Sequence, residues 1–188
     1  MKLKEIISLD FSVYNEKINN KLKLFIKFLY YVFIKPEFKV IFWMRLASYY
    51  KNMGIAFKPI YVISFLFHLH YKNKYGIELP IGLKVGAPFK IAHIPGIIIN
   101  SNAIIGNNVI IMQNVTIGST RGKGVPTLGN NILICAGAKI VGGVKIGNNV
   151  VIGANAVVVN DVPDNSVVVG VPARIINSNS HKILKYYM

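Results

Sequence analysis

The sequence predicts an all-β solenoid, a three-sided parallel β-helix of hexapeptide repeats, preceded by a small α-helical N-terminal region. Three observations carry this. Aliphatic residues recur every six positions at Ile81, Ala87, Ile99, Ile105, Ile111 and Ile117, then in a shifted register at Leu128, Ile134, Ile140, Ile146, Ile152 and Val158. Gly-Asn-Asn triplets recur at 106–108, 129–131 and 147–149. The segment from Asn19 to Tyr71 is instead apolar and aromatic at helical spacing. A period of six is neither the 3.6 of a helix nor the 2 of a sheet strand, so each repeat reads as a short strand and a tight turn, with roughly 18 residues to a coil.

The helical region covers 1–78, where Phe25, Phe28, Leu29 and Phe33, then Val40, Trp43, Leu46 and Tyr49, fall on helical faces. Pro36 and Pro59 divide it into two or three helices. Its longest uncharged stretch, Pro59 to Tyr71, is too short to span a bilayer. Two roles fit these helices: packing on the solenoid or a neighbouring subunit, or laying a basic aromatic face on a membrane. The solenoid takes 79–176, and 177–188 is a C-terminal tail. Asn and Gly in the triplets tolerate the left-handed backbone of a sharp corner. The beat slips between Ile117 and Leu128, where five extra residues extrude the loop 119–127, a favoured place to grip a ligand.

The formal net charge is +15. Residues 1–80 hold 13 Lys/Arg against 5 Asp/Glu and the remainder 9 against 2, so both parts are basic. Such a field suits anionic partners such as cofactor phosphates or a membrane surface, or else solubilises an apolar chain. The charges do not cluster on a nucleic-acid reading element, and no nucleic-acid partner is expected. The single cysteine, Cys135, excludes an internal disulfide and reads as a packing residue. It fits a reducing compartment, so the expected location is cytoplasmic, with peripheral contact at the inner membrane face if the helices are used that way. Asn114-Val115-Thr116 spells a glycosylation acceptor but lies inside the repeat and is treated as accidental.

Few residues offer chemistry. Beyond residue 80 the acids are Asp161 and Asp164, close together near the end of the coil. His68 and His70 lie in the helical region and His181 in the tail, which leaves His93, where the beat asks for an aliphatic. An imidazole there needs partners for its nitrogens, and near pH 7 it is the usual general base for a hydroxyl nucleophile. A structural histidine is the competing reading. No metal is expected, since a zinc site would need about three histidines.

His93-Ile94-Pro95-Gly96-Ile97-Ile98-Ile99, Met112-Gln113-Asn114-Val115-Thr116-Ile117-Gly118, Ala136-Gly137-Ala138-Lys139-Ile140 and Gly170-Val171-Pro172-Ala173-Arg174-Ile175 together resemble the successive signatures of hexapeptide-repeat acyltransferases, in their serine acetyltransferase-like branch. The likeness extends to Pro36–Tyr50 and Gly76-Ile77-Glu78. It implies a left-handed β-helix, a homotrimer or dimer of trimers with sites between subunits, and acetyl-CoA as co-substrate. His93 falls on that family's catalytic histidine. By the same likeness Gly118 and Ser119 offer backbone amides to the oxyanion, Ala136 and Ala154 lie along the pantetheine, and Arg121, Lys123, Lys139 and Arg174 are phosphate partners.

Two positions depart from that family. Ala92 stands where serine acetyltransferases carry Asp, and Gly124-Val125-Pro126 where their loop ends in Arg-His-Pro. The loss of a guanidinium able to pair with a carboxylate argues against serine. The expected function is therefore O-acetylation of a saccharide hydroxyl, in a capsule, exopolysaccharide or related surface glycan, with His93 as general base. The alternatives are serine O-acetylation in cysteine biosynthesis and a purely structural scaffold.

Overall fold

A computed structural model describes residues 1–14, 20–122 and 124–187. Four helices come first, α1 (Leu3–Ser12), α2 (Lys21–Phe33), α3 (Pro36–Tyr50) and α4 (Lys58–Tyr75), with a short 3₁₀ turn at Ile55–Phe57. Pro36 and Pro59 sit in the first turns of α3 and α4, where the missing N–H costs nothing. Gly76, in the left-handed conformation, ends α4.

The solenoid of about four turns follows, its strands two to four residues long, on three faces. Face one holds β1 (Lys84–Val85), β4 (Ile104–Ile105), β7 (Thr127–Leu128) and β10 (Lys145–Ile146). Face two holds β2 (Phe89–Ile91), β5 (Val109–Ile111), β8 (Ile132–Ile134), β11 (Val150–Ile152) and β13 (Val167–Val169), with β14 (Arg174–Asn177) antiparallel at its end. Face three holds β3 (Ile98–Ile99), β6 (Thr116–Gly118), β9 (Lys139–Val141) and β12 (Val157–Val158). A short helix, α5 (His181–Leu184), closes the chain and packs Leu184 against Ile110, Leu133, Val151 and Val167 on the outside of face two.

The corners explain the Gly-Asn-Asn triplets. Asn108, Asn131, Asn149 and Asn165 all have φ between 55° and 61°. Their amides form a ladder along the axis, Asn131 Nδ2 donating to Asn149 Oδ1 at 2.9 Å and Asn149 to Asn165 at 2.9 Å. Left-handed backbone costs an ordinary residue about 1–2 kcal/mol, and asparagine is among the few that adopt it routinely. The glycine is needed for space: a Cβ on Gly106 would lie 2.3 Å from the Gly129 carbonyl oxygen of the next coil.

Pairing corrects the register expected for the first coil. Val85 pairs with Ile105 and Ile91 with Ile111, a step of 20 residues. The core column therefore runs Leu79, Val85, Ile91 and then Ile99, so the beat slips here as well as at the extruded loop. Ile81, Ala87 and His93 stand two residues off the core column. A shift of two keeps side-chain alternation intact, which is why the sequence pattern did not expose it.

The helices close the open end and edge of this coil. Asp10 Oδ1 accepts the Phe89 N–H at 2.8 Å, and the Tyr14 hydroxyl both accepts from Ile91 N–H at 3.0 Å and donates to Ile91 C=O at 2.9 Å. The free edge of β2 is thus occupied, as an edge strand requires. Arg45 Nε donates to Asp10 Oδ2 at 2.9 Å, and its other nitrogens donate to the carbonyls of Val85 at 2.6 Å and Gly86 at 2.5 Å. Outward, α2 leaves Leu22, Phe25, Ile26, Leu29 and Phe33 exposed, and α4 leaves Val62, Ile63 and Leu66. Among the described residues no helix is long and apolar enough to cross a membrane.

His68 docks α4 on the solenoid. Its buried ring bonds the Leu79 carbonyl at 2.8 Å, so Nε2 carries the proton of the neutral ring. Burial lowers its pKa, Lys72 adds to this, and the Leu79 bond opposes it. The unfolded chain then binds more protons between the folded value and about 6.5, so stability is full above that window and falls as pH drops through it. Urea midpoints measured at pH 7.5 and 5.5 should show this loss, and His68→Gln should flatten it. An equal slope in the variant would assign the effect to another group.

Candidate active site

His93 lies in the two-residue excess of the first coil, in the corner Ala92–Gly96 between β2 and β3, and its side chain is exposed. This corrects the expectation of an imidazole among core aliphatics. Gly96 has φ +80° and lies against Asn114; an added Cβ would be 2.1 Å from Asn114 Oδ1. Above Pro95 in this corner the column continues through Gln113, Ala136 and Ala154: the N–H of Asn114 donates to Pro95 C=O, that of Gly137 to Gln113 C=O and that of Asn155 to Ala136 C=O, each at 2.9 Å. The two alanines make this ridge low. Gln113 Oε1 is buried without a hydrogen-bond partner.

The remaining predicted residues are distributed around this ridge and not gathered on it. Gly118 ends β6, so Gly118, exposed Ser119 and exposed Arg121 stand at the far edge of face three from the His93 corner. Asn100 Nδ2 donates to Ser119 Oγ at 3.4 Å. Lys139 projects from face three and donates from Nζ to Asn114 C=O. Arg174 is exposed on β14, in the last coil. Lys123 lies outside the described residues. Within one chain, then, His93 and the Gly118–Ser119 amides do not share a site.

Beside His93 the sequence reading missed a cavity of about 370 Å³ under the helices, lined among others by Lys35, Glu37, Lys90, Ala92 and Tyr187. Glu37 is in the first turn of α3 and Lys90 faces outward from β2. Burial lowers the Lys90 pKa. No spacing rule relates Glu37 to His93, because packing of α3 on β2 brings them together. A larger apolar hollow of about 560 Å³ between α1, α2 and α3 holds none of the predicted residues and is not the candidate site. Among the described residues no group of three His, Cys, Asp or Glu could hold a metal ion. Cys135 packs beside Leu133 and Val151, and burial raises its thiol pKa, which makes it a poor nucleophile.

Residues 126–160 match the family described as "Bacterial transferase hexapeptide (six repeats)". The chain is 44% identical over 111 residues to a serine acetyltransferase of Bacillus licheniformis, covering 57% of this chain and 51% of that protein. It is 45% identical over 115 residues to one of Staphylococcus aureus, covering 60% and 54%. The chain thus spans about half the length of these curated relatives. Among solved structures it resembles serine acetyltransferase from Brucella abortus in complex with coenzyme A, with TM-score 0.74 and 25% identity over 94% of this chain and 68% of that one. These likenesses overturn the expected saccharide acceptor, since relatives at 44–45% identity are serine acetyltransferases. The expectation failed because Ala92 and Val125 report only on the solenoid, while the His93 cavity is also walled by the helices. Residues 126–160 thus match bacterial transferase hexapeptide repeats, within a β-solenoid that resembles the fold of the solved serine acetyltransferase.

Proposed function

We propose that this chain is an acetyl-CoA-dependent serine O-acetyltransferase with His93 as general base. The observation that carries it is an exposed imidazole at the foot of a ridge of small residues, on a solenoid similar to serine acetyltransferases. The ridge fits the co-substrate: Ala136 and Ala154 leave room for a pantetheine arm laid along the axis. Arg174 stands on β14, five strand spacings of about 4.8 Å or roughly 24 Å along face two from β2, at the end of the solenoid where the phosphates would lie. Arg121, Lys123 and Lys139 supply further positive charge.

Acetyl-CoA supplies an acetyl thioester. His93 takes the proton from the acceptor hydroxyl as its oxygen bonds to the thioester carbon. The carbon–sulfur bond then breaks, and the imidazolium returns its proton to the departing sulfur. Backbone N–H groups at Gly118 and Ser119 hold the oxyanion, and they must come from a neighbouring copy because within one chain they stand across face three. A homotrimer, or a dimer of trimers, is the assembly expected to bring a neighbouring copy there. The exposed apolar side chains of α2, with Lys21, Lys23 and Lys27 on the same helix, serve either its assembly or peripheral contact with a membrane.

Thiol release from acetyl-CoA with L-serine and a panel of saccharides tests the reading, with the mass in solution measured by light scattering on the same sample. Turnover with L-serine by a species of three or six chains is expected. Turnover confined to a saccharide, or a fully active monomer, would refute it.

A further inference from the structure

We propose that Glu37 and Lys90 form the ionic subsite for the acceptor, Glu37 receiving the ammonium group and Lys90 the carboxylate of a hydroxylated α-amino acid. The proposal rests on the serine acetyltransferase reading and supplies what the solenoid lacks at Ala92 and Val125.

Both charges line the cavity that His93 borders. They do not neutralise one another: among the described residues the ion pair within 4.0 Å is Arg45 with Asp10, and neither Glu37 nor Lys90 has such a partner. Lys90 Nζ has instead the Tyr14 ring, 5.6 Å from its centroid. Burial lowers its pKa, and among the described residues no carboxylate lies within ion-pair distance to oppose that. Opposite charges on one cavity, Glu37 facing Lys90 with Lys35 also on the wall and none of them paired within 4.0 Å, select a ligand that carries both signs. A zwitterionic amino acid does, and a neutral sugar carries neither.

The positions are also fixed well enough to serve. Lys90 lies on β2 between Phe89 and Ile91, whose backbone groups are tied to Asp10 and Tyr14. Glu37 is held in the first turn of α3, one residue before Phe38, which is fully buried. Ala92, adjoining His93 and lining the same cavity, adds no bulk that would exclude the acceptor.

The test compares L-serine with serinamide, which lacks the carboxylate, and 3-hydroxypropanoate, which lacks the ammonium group. In the wild type each truncated acceptor should be at least about 100-fold poorer in kcat/KM, as expected when a partly buried charge loses its partner. Lys90→Met should lower kcat/KM for L-serine about 100-fold and leave serinamide within about threefold; Glu37→Gln should do the same for L-serine and 3-hydroxypropanoate. Lys90→Arg should retain most of the discrimination, and KM for acetyl-CoA should hold in all three variants. If the wild type acetylates L-serine and both neutral variants keep its discrimination, the subsite is overturned while the activity stands. If the wild type does not acetylate L-serine, the activity falls and the subsite with it.

Discussion

Replacing His93 with leucine is expected to lower kcat by about 10²- to 10⁴-fold, the usual contribution of a positioned general base. Stability should change by less than about 0.5 kcal/mol, as for most exposed positions. The imidazole is exposed and stands off the core column, so leucine neither fills a cavity nor repairs the hydrophobic pattern. Acetyl-CoA affinity, measured by titration, should change little, because the ridge that receives the co-substrate is formed by Ala136, Ala154 and distant basic groups. Steady-state kinetics on His93→Leu and His93→Ala should therefore give equal losses in kcat. A folded trimeric His93→Leu with near-normal turnover would assign the proton transfer elsewhere.

The solenoid was legible because its period is imposed by geometry at every coil. Ile105, Leu128 and Ile146 must stack, the corner must turn left-handed at Asn108, Asn131 and Asn149, and the glycine beside them must admit the next coil's carbonyl. Each constraint acts over six residues, so it is written locally. The first coil was misread because its two extra residues preserve alternation, and a pattern of period two carries no mark of a shift by two. The beat pointed to His93 for a reason the structure removes, since the residue marks a corner bulge and not a core position.

The site was legible only where the solenoid makes it. Ala136 and Ala154, which the signatures lay along the pantetheine, stack in one column in successive coils of that corner. Glu37 could not have been found that way: it is 56 positions from His93, on a helix whose approach is set by packing of Val40, Ile41 and Met44 into the solenoid core. The same blindness produced the saccharide expectation. The absence of the Asp and the Arg from the solenoid does not by itself remove a clamp, because charge near a base can be delivered by any element that packs there.

Asp10→Ala is expected to cost about 3–5 kcal/mol, the range for breaking a buried ion pair from one side. Asp10 is 1% and Arg45 7% exposed, so the guanidinium left behind has no water to turn to. Burial raises the Asp10 carboxyl pKa, while Arg45 and the Phe89 N–H pull it down. The variant also orphans the Phe89 N–H on the β2 edge, an unmet buried donor worth about 1–3 kcal/mol. Against a domain stability of about 5–15 kcal/mol this is a large fraction. Urea unfolding of Asp10→Ala, Arg45→Met and the double variant resolves the terms. Removing both charges should cost less than the sum of the single losses, because no bare ion remains. Asp10→Asn should fall between wild type and alanine, since its amide oxygen still accepts from Phe89. A loss below about 1 kcal/mol in Asp10→Ala would mean that the helical cap does not hold β2. In that case Lys90 and the His93 corner, both reached through β2, must be positioned by the solenoid alone.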